Sequence, residues 1–334
     1  MRIAVLGAGS WGTAAAALLA DNGHDVILRA RRHEVAESIN RDHRNPDYLT
    51  DAVLPDSLTA TVDLERALAG AEAVVLAVPS PYLREALIEA HEFVTDDMIF
   101  VSLVKGIEKG TLMRMSEVIA DVFGEGARAR TAVLSGPNHS EEVIRKIPTA
   151  TVIASENATV ATTLQRAFMT DYFRVYTNDD VKGVELGGAV KNVIAIAVGI
   201  SDSLGYGDNT RGALITRGLS EMLRLGTRMG ARASTFLGLA GIGDLIATAT
   251  SRHSRNRMAG ELIGSGMSLN ETIASMKMVA EGVWTSRNLL ELAGRYGIEM
   301  PITSEVVEIL YHGKDPRESV LCLMRRAPKP EDVV

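Results

Sequence analysis

Six residues near the start of the chain, Gly7-Ala8-Gly9-Ser10-Trp11-Gly12, constrain its fold more than any other feature. They follow the apolar run Ile3-Ala4-Val5-Leu6 and open onto Thr13–Ala20, an alanine- and leucine-rich stretch that reads as a helix. Strand, G-x-G-x-x-G turn and helix in this order make a specific physical device. Gly7 permits the tight turn, Gly9 lets a pyrophosphate approach the backbone, and Gly12 lets the helix pack closely on the strand. The anion then rests on N–H groups at the helix N-terminus. Glycines alone would signal only a turn, but the flanking strand and helix point to dinucleotide binding. The same glycines argue against a signal peptide, which Arg2 and the apolar run otherwise resemble.

The first half continues the alternation. Arg2–Leu6, Asp25–Arg29, Ala73–Val78, Met98–Leu103, Thr131–Leu134, Ala150–Ala154 and Tyr172–Tyr176 read as strands, several of them continuous apolar runs, as in a parallel sheet covered on both faces. Thr13–Asn22, Tyr82–His91 and Ala158–Phe168 read as helices between them. This predicts a Rossmann-like, doubly wound α/β domain with a mainly parallel sheet. Beyond Asp180 no convincing strand remains. Val184–Gly199, Ala213–Met229, Arg257–Ile263 and Ser286–Tyr296 have helical spacing, and Asn178-Asp179-Asp180 offers an N-cap at the junction. The expected organisation is a dinucleotide-binding domain over 1–178, an all-helical substrate and catalytic domain over 179–327, and a frayed tail over 328–334.

Composition narrows the partners. With 35 Lys plus Arg against 42 Asp plus Glu in 334 residues, the net charge of −7 makes nucleic acid or an anionic membrane surface an unfavourable partner. The single cysteine, Cys322, excludes an intramolecular disulfide and suits a reducing compartment. No stretch approaches the roughly 18 apolar residues of a membrane span, Val193–Ile200 being the longest candidate. The expectation is a cytoplasmic protein without membrane insertion. The histidines His33, His43, His139 and His253 lack metal-ligand spacing, so no metal is expected.

The second strand of such a domain normally ends in an acid that accepts bonds from the adenosine ribose. Here Asp25 lies at the wrong end, and Arg31-Arg32 stand at the right one. Arginine there either holds a 2′-phosphate or is a solvated helix start. The first reading predicts that NADPH is accepted and preferred, with NADH still usable.

Three features of the second half carry chemistry. Lys191 and Asn192 interrupt an apolar helix, Glu185–Val198, and the i−4 and i+4 neighbours of Lys191 are Gly187 and Ala195. Any partner must come from elsewhere in the fold or from a ligand. A desolvated lysine is a usable acid or base, whereas a snorkelling one is structural. Lys105, just past a predicted strand, is a second cation that would depress the Lys191 pKa. Asp244 stands isolated among apolar residues, and Ser254-Arg255-Asn256 precede a helix, as an oxyanion site or as an exposed polar loop.

Taken with Ser102–Gly106, Ser135-Gly136-Pro137, Gly205–Asn209, Gly243-Asp244-Leu245, Ser254–Arg257 and Glu281-Gly282, these stretches closely resemble the bacterial NAD(P)-dependent glycerol-3-phosphate dehydrogenases, in that family's order over nearly the whole chain. The resemblance implies hydride transfer between NAD(P)H and dihydroxyacetone phosphate, giving sn-glycerol 3-phosphate for glycerophospholipid synthesis. It implies Lys191 as the catalytic acid/base. It implies Lys105, Gly136, Asn138, Asp244, Ser254, Arg255 and Asn256 as substrate contacts. Gly7, Gly9, Ser10, Trp11, Gly12, Arg31, Arg32, Lys105, Ser140, Arg255, Val279 and Glu281 are the implied contacts to NADP or NAD. The sequence departs from the family's usual Ser-Phe-Ala at Asn138-His139-Ser140. A homodimer is left open. A related β-hydroxyacid or 6-phosphogluconate-type dehydrogenase shares the two-domain plan and a catalytic lysine, but the Gly-Asp-Leu and Ser-Arg-Asn pair argues against it. A non-catalytic NAD(P)H sensor would need no lysine in an apolar helix.

Overall fold

A computed structural model describes residues 1–276, 278–328 and 330–331. The chain forms two compact units, one of Met1–Val104 and Met115–Val181, the other of Lys105–Arg114 and the chain from Lys182 on. The first unit is built on an eight-stranded sheet: β1 (Arg2–Leu6), β2 (Asp25–Arg29), β3 (Thr59–Thr61), β4 (Ala73–Leu76), β5 (Ile99–Ser102), β6 (Thr131–Ser135), β7 (Thr149–Ala154) and β8 (Phe173–Asn178). The order is β3-β2-β1-β4-β5-β6-β7-β8, and every pair is parallel except β6–β7. Strands β1 and β4 are adjacent although the chain visits β2 and β3 between them, which creates the topological switch point where such sheets bind ligands. The central strands are buried along almost their whole length, as their unbroken apolar sequence requires. Strand β3 was not expected; three residues, two of them threonine, are too short to show a period.

At the end of β1 the turn obeys the glycine logic. Gly7 has φ +115°, and a side chain on it would meet the Ala77 carbonyl oxygen at 2.7 Å. A Cβ on Gly12 would lie 1.8 Å from the Gly7 carbonyl oxygen, so only glycine lets the helix Ser10–Asp21 start here.

Among the described residues, the elements of the second unit are helices, apart from one antiparallel bridge between Ile107 and Arg114. Its axis is the 23-residue helix Val181–Ser203, apolar on every side and therefore buried, with Asn178 accepting the Asp180 N–H just before it. The helix Arg255–Gly264 packs against it backbone to backbone: a Cβ on Gly199 would lie 2.0 Å from the Arg257 carbonyl oxygen, and one on Gly260 would lie 2.1 Å from that of Ile196. The segment Lys105–Arg114 belongs with these helices because Ile107 and Leu112 are buried in their core and the Arg114 guanidinium pairs with the buried Glu185. Another buried carboxylate, Glu221, accepts the N–H groups of Ile302 (2.5 Å) and Thr303 (3.2 Å), capping the helix Pro301–His312.

The expectation of no membrane-length apolar helix does not hold. Val181–Ser203 and the helical segment Ala233–Thr250 are both long and apolar enough, because glycines and single polar residues break an apolar run without lowering its mean hydropathy. The apolar window of the first is 94% buried within the protein, as befits a core helix. The expected tail over 328–334 falls largely outside the described residues, which include only 328, 330 and 331 of it.

Candidate active site

Three charged side chains of the helical unit, Lys105, Lys191 and Asp244, meet at one point. The Asp244 carboxylate accepts from the Lys191 ammonium on Oδ1 at 2.5 Å and from the Lys105 ammonium on Oδ2 at 2.8 Å. Lys191 also donates to Thr248 Oγ1 at 2.7 Å. Lys191 is 5% exposed and Asp244 2% exposed, so Lys191 does not snorkel to water. Asp244 and Thr248 lie one turn apart on the helix Asp244–Thr250, which places both on the face that meets Lys191. Thr248 was not anticipated, yet its i+4 spacing from Asp244 was visible in the sequence.

Burial pushes the Lys191 pKa down. The Asp244 charge opposes this and the Lys105 charge adds to it, and the result is a value lowered to about 7 from the ordinary 10.5. Burial alone would raise the Asp244 carboxyl, but the two ammonium groups outweigh it and hold the carboxyl below its ordinary value. The cluster therefore presents an ionised carboxylate beside a lysine poised to give or take a proton near neutrality.

A line of amides holds Lys105 in place. The Gly282 N–H donates to Asn256 Oδ1 (2.8 Å), the Asn256 amide to Asn192 Oδ1 (2.9 Å), and the Asn192 amide to the Lys105 carbonyl oxygen (3.3 Å). Asn288 adds a bond to the Ile107 carbonyl oxygen at 2.8 Å. The glycine contact between the two helices is what brings Asn192 and Asn256 within reach of each other. The polar run after Asp244 is thus only partly a surface loop. Ser254 and Asn256 are buried, Ser254 Oγ caps the helix Arg255–Gly264 by accepting the Arg257 N–H, and Arg255 is half-buried. Val279 is 38% exposed, and Glu281 opens the helix Glu281–Arg295.

In the first unit the turn residues stand together. The N-cap of the helix Ser10–Asp21 is Gly9, which brings no side chain to cap it. A Cβ on Gly9 would meet nothing within 4 Å, and the buried Trp11 indole N–H has no hydrogen-bond partner among the described residues. The buried Asn45 fixes the turn from outside by donating to the Ala8 carbonyl oxygen at 3.0 Å and to Thr13 Oγ1 at 2.8 Å. Beyond β2, Arg31 is exposed and makes no ion pair or hydrogen bond among the described residues, whereas Arg32 is ion-paired with Asp47. Gly136 follows β6, where Asn138 donates to Thr151 Oγ1 at 3.0 Å and Ser140 to Glu141 at 3.0 Å. No cluster of metal-ligating side chains is present among the described residues.

Comparison with known proteins decides the family. The family model for the NAD-dependent glycerol-3-phosphate dehydrogenase N-terminus matches residues 2–161, and that for the C-terminus of the same enzymes matches residues 180–321. The chain belongs to the NAD-dependent glycerol-3-phosphate dehydrogenase family. It is 54% identical to the glycerol-3-phosphate dehydrogenase [NAD(P)+] of Streptomyces griseus, over 99% of this chain and 98% of that one. It is 49% identical to the protein so named in Bacillus pumilus, over 99% and 96%. A solved structure of glycerol-3-phosphate dehydrogenase from Coxiella burnetii superposes with a TM-score of 0.92 at 39% identity, over 97% of this chain and 98% of that one. As a member of the glycerol-3-phosphate dehydrogenase family, the chain carries groups that fit a nicotinamide dinucleotide: an open glycine cradle, a helix N-terminus with glycine at its cap and, among the described residues, an orphaned indole donor.

Proposed function

We propose that this protein reduces dihydroxyacetone phosphate to sn-glycerol 3-phosphate with NADPH or NADH, reversibly, and so supplies the glycerol backbone of phospholipids. The sheet unit is the cofactor unit and the helical unit the substrate unit. The single observation behind the mechanism is a buried lysine of pKa about 7 sharing one carboxylate with a second lysine.

When bound, the nicotinamide cofactor supplies the hydride to the carbonyl carbon. Lys191, as ammonium, polarises the ketone oxygen and delivers a proton to the alkoxide that forms there; solvent then reprotonates it. In the oxidising direction neutral Lys191 takes the hydroxyl proton. Asp244 orients Lys191 and keeps it from losing its proton too readily. Lys105, anchored through Asn192 and Asn256, balances the carboxylate and contributes positive charge for the substrate. Arg255 takes the phosphate with Ser254 and Asn256 beside it, and Gly136 and Asn138 line the substrate's approach. Gly7, Gly9, Ser10, Trp11, Gly12, Arg31, Arg32, Ser140, Val279 and Glu281 hold the cofactor. A cytoplasmic location, no membrane insertion and a homodimeric state complete the reading.

The test is oxidation of NADPH or NADH on addition of dihydroxyacetone phosphate, with identification of glycerol 3-phosphate. Absence of oxidation with both cofactors sinks it. Sedimentation of the purified chain reads the oligomeric state.

A further inference from the structure

On the reading of the first unit as the cofactor unit, we infer that Asp47 sets the balance between NADPH and NADH by engaging Arg32. Strand β2 ends at Arg29, and the three residues that follow it, Ala30, Arg31 and Arg32, include no acid. The missing carboxylate arrives from another part of the chain. Asp47 pairs with the Arg32 guanidinium, and its side chain is 33% exposed against 54% for Arg32.

The position of Asp47 is fixed by a residue the reaction does not otherwise use. Asn45 is 1% exposed, and its Oδ1 accepts the backbone N–H groups of Asp47 (3.1 Å) and Tyr48 (3.2 Å). Its amide nitrogen simultaneously bonds the Ala8 carbonyl oxygen inside the glycine turn. One buried amide therefore ties the backbone that bears Asp47 to the turn that receives the pyrophosphate. Through Arg32, the carboxylate is held just past the carboxyl end of β2, where the adenosine ribose of a dinucleotide belongs.

The chemistry follows from charge. A 2′-phosphate must take Arg32 away from Asp47 and also suffers repulsion from the carboxylate, whereas an uncharged 2′-hydroxyl faces neither cost. Arg31 has no such partner and remains available to the phosphate. Asp47 thus draws the enzyme toward NADH against the pull of Arg31, and the two cofactors end nearer parity than a pair of unopposed arginines would leave them.

The experiment measures kcat/KM for NADPH and for NADH, with saturating dihydroxyacetone phosphate, in wild type, Asp47→Asn, Arg32→Ala and the double variant. Asparagine keeps the shape of Asp47, and the turn is held by Asn45, so the fold is retained. The NADPH/NADH ratio should rise about five- to tenfold in Asp47→Asn, the size of one or two partly exposed charge interactions. The rise should be smaller when Arg32 is already alanine, because only the direct repulsion is then left to relieve. A ratio that moves less than twofold, a parallel fall with both cofactors, or an equal rise in the Arg32→Ala background overturns the inference. If wild type oxidises neither cofactor, it is the functional reading beneath it that fails.

Discussion

Removing either partner of the shared carboxylate should move the Lys191 titration, and the two removals should move it in opposite directions. Lys105→Met deletes a like charge. The two ammonium groups bond opposite oxygens of one carboxylate at 2.8 and 2.5 Å, which keeps them within roughly 7 Å of each other. At an effective dielectric near 20 that repulsion costs about 2 kcal/mol, or between one and two pKa units. Starting from about 7, the Lys191 pKa should climb by that amount. Asp244→Asn deletes the attraction and leaves burial unopposed, so the pKa should fall by about one to three units. Ketone reduction needs the ammonium form, so activity is lost as pH rises through this pKa. The assay is the pH profile of kcat for dihydroxyacetone phosphate reduction, read for the position of its alkaline limb and not its height. The limb should move to higher pH in Lys105→Met and to lower pH in Asp244→Asn. Limbs that stay put, or that move the same way, would refute Lys191 as the titrating acid.

Four further outcomes are expected. Lys191→Ala should lower kcat by about 10²–10⁴ while leaving cofactor affinity nearly unchanged, checked by steady-state rates and cofactor titration. In Lys191→Met, stability should also lose a pH dependence: between about 7 and 10.5 the unfolded lysine binds more protons than the folded one, so the wild type gains stability as pH rises through that window, and thermal melts across it should show the gain only in wild type. Arg255→Ala should cost roughly 2–5 kcal/mol in kcat/KM for dihydroxyacetone phosphate and much less for dihydroxyacetone; equal losses would remove its phosphate role. Arg31→Ala should weaken NADPH more than NADH by roughly 1–3 kcal/mol, less at high salt, as the cofactor ratio of kcat/KM will show.

What the sequence disclosed was local. The Gly7–Gly12 turn was legible because each glycine answers a steric demand within a few residues or across one strand. The helix Ala158–Phe168 was legible to the residue, whereas its Asn157 cap was not read from the sequence. Lys191 could be seen to need a distant partner because its own helix offered Gly187 and Ala195. That the partner is Asp244, 53 residues on, depends on how helices pack, which periodicity does not encode. For the same reason the ion pair of Arg32 with Asp47 and the anchoring of Lys105 by Asn192 and Asn256 were invisible. The apolar helix Val181–Ser203 was underestimated because the counted stretch Val193–Ile200 is bounded by Asn192 and Ser201, polar residues that stop a count while the mean hydropathy of the helix stays high.

The ten residues Lys105–Arg114 bear on how the molecule is made. They are synthesised in the middle of the sheet unit, yet Ile107 and Leu112 bury themselves among helices encoded after residue 181. A ribosome delivers them long before Glu185 exists to pair with Arg114, or Asn288 to hold the Ile107 carbonyl. During that interval two apolar side chains and an arginine wait without their partners, a hazard for a nascent chain. The helical unit also closes its core across a long sequence separation, which slows folding. A gene fragment ending near residue 178 would leave the segment permanently stranded. Such a fragment should be sticky and protease-sensitive there, with cleavage at Lys105, Lys109 or Arg114 that the full-length chain resists.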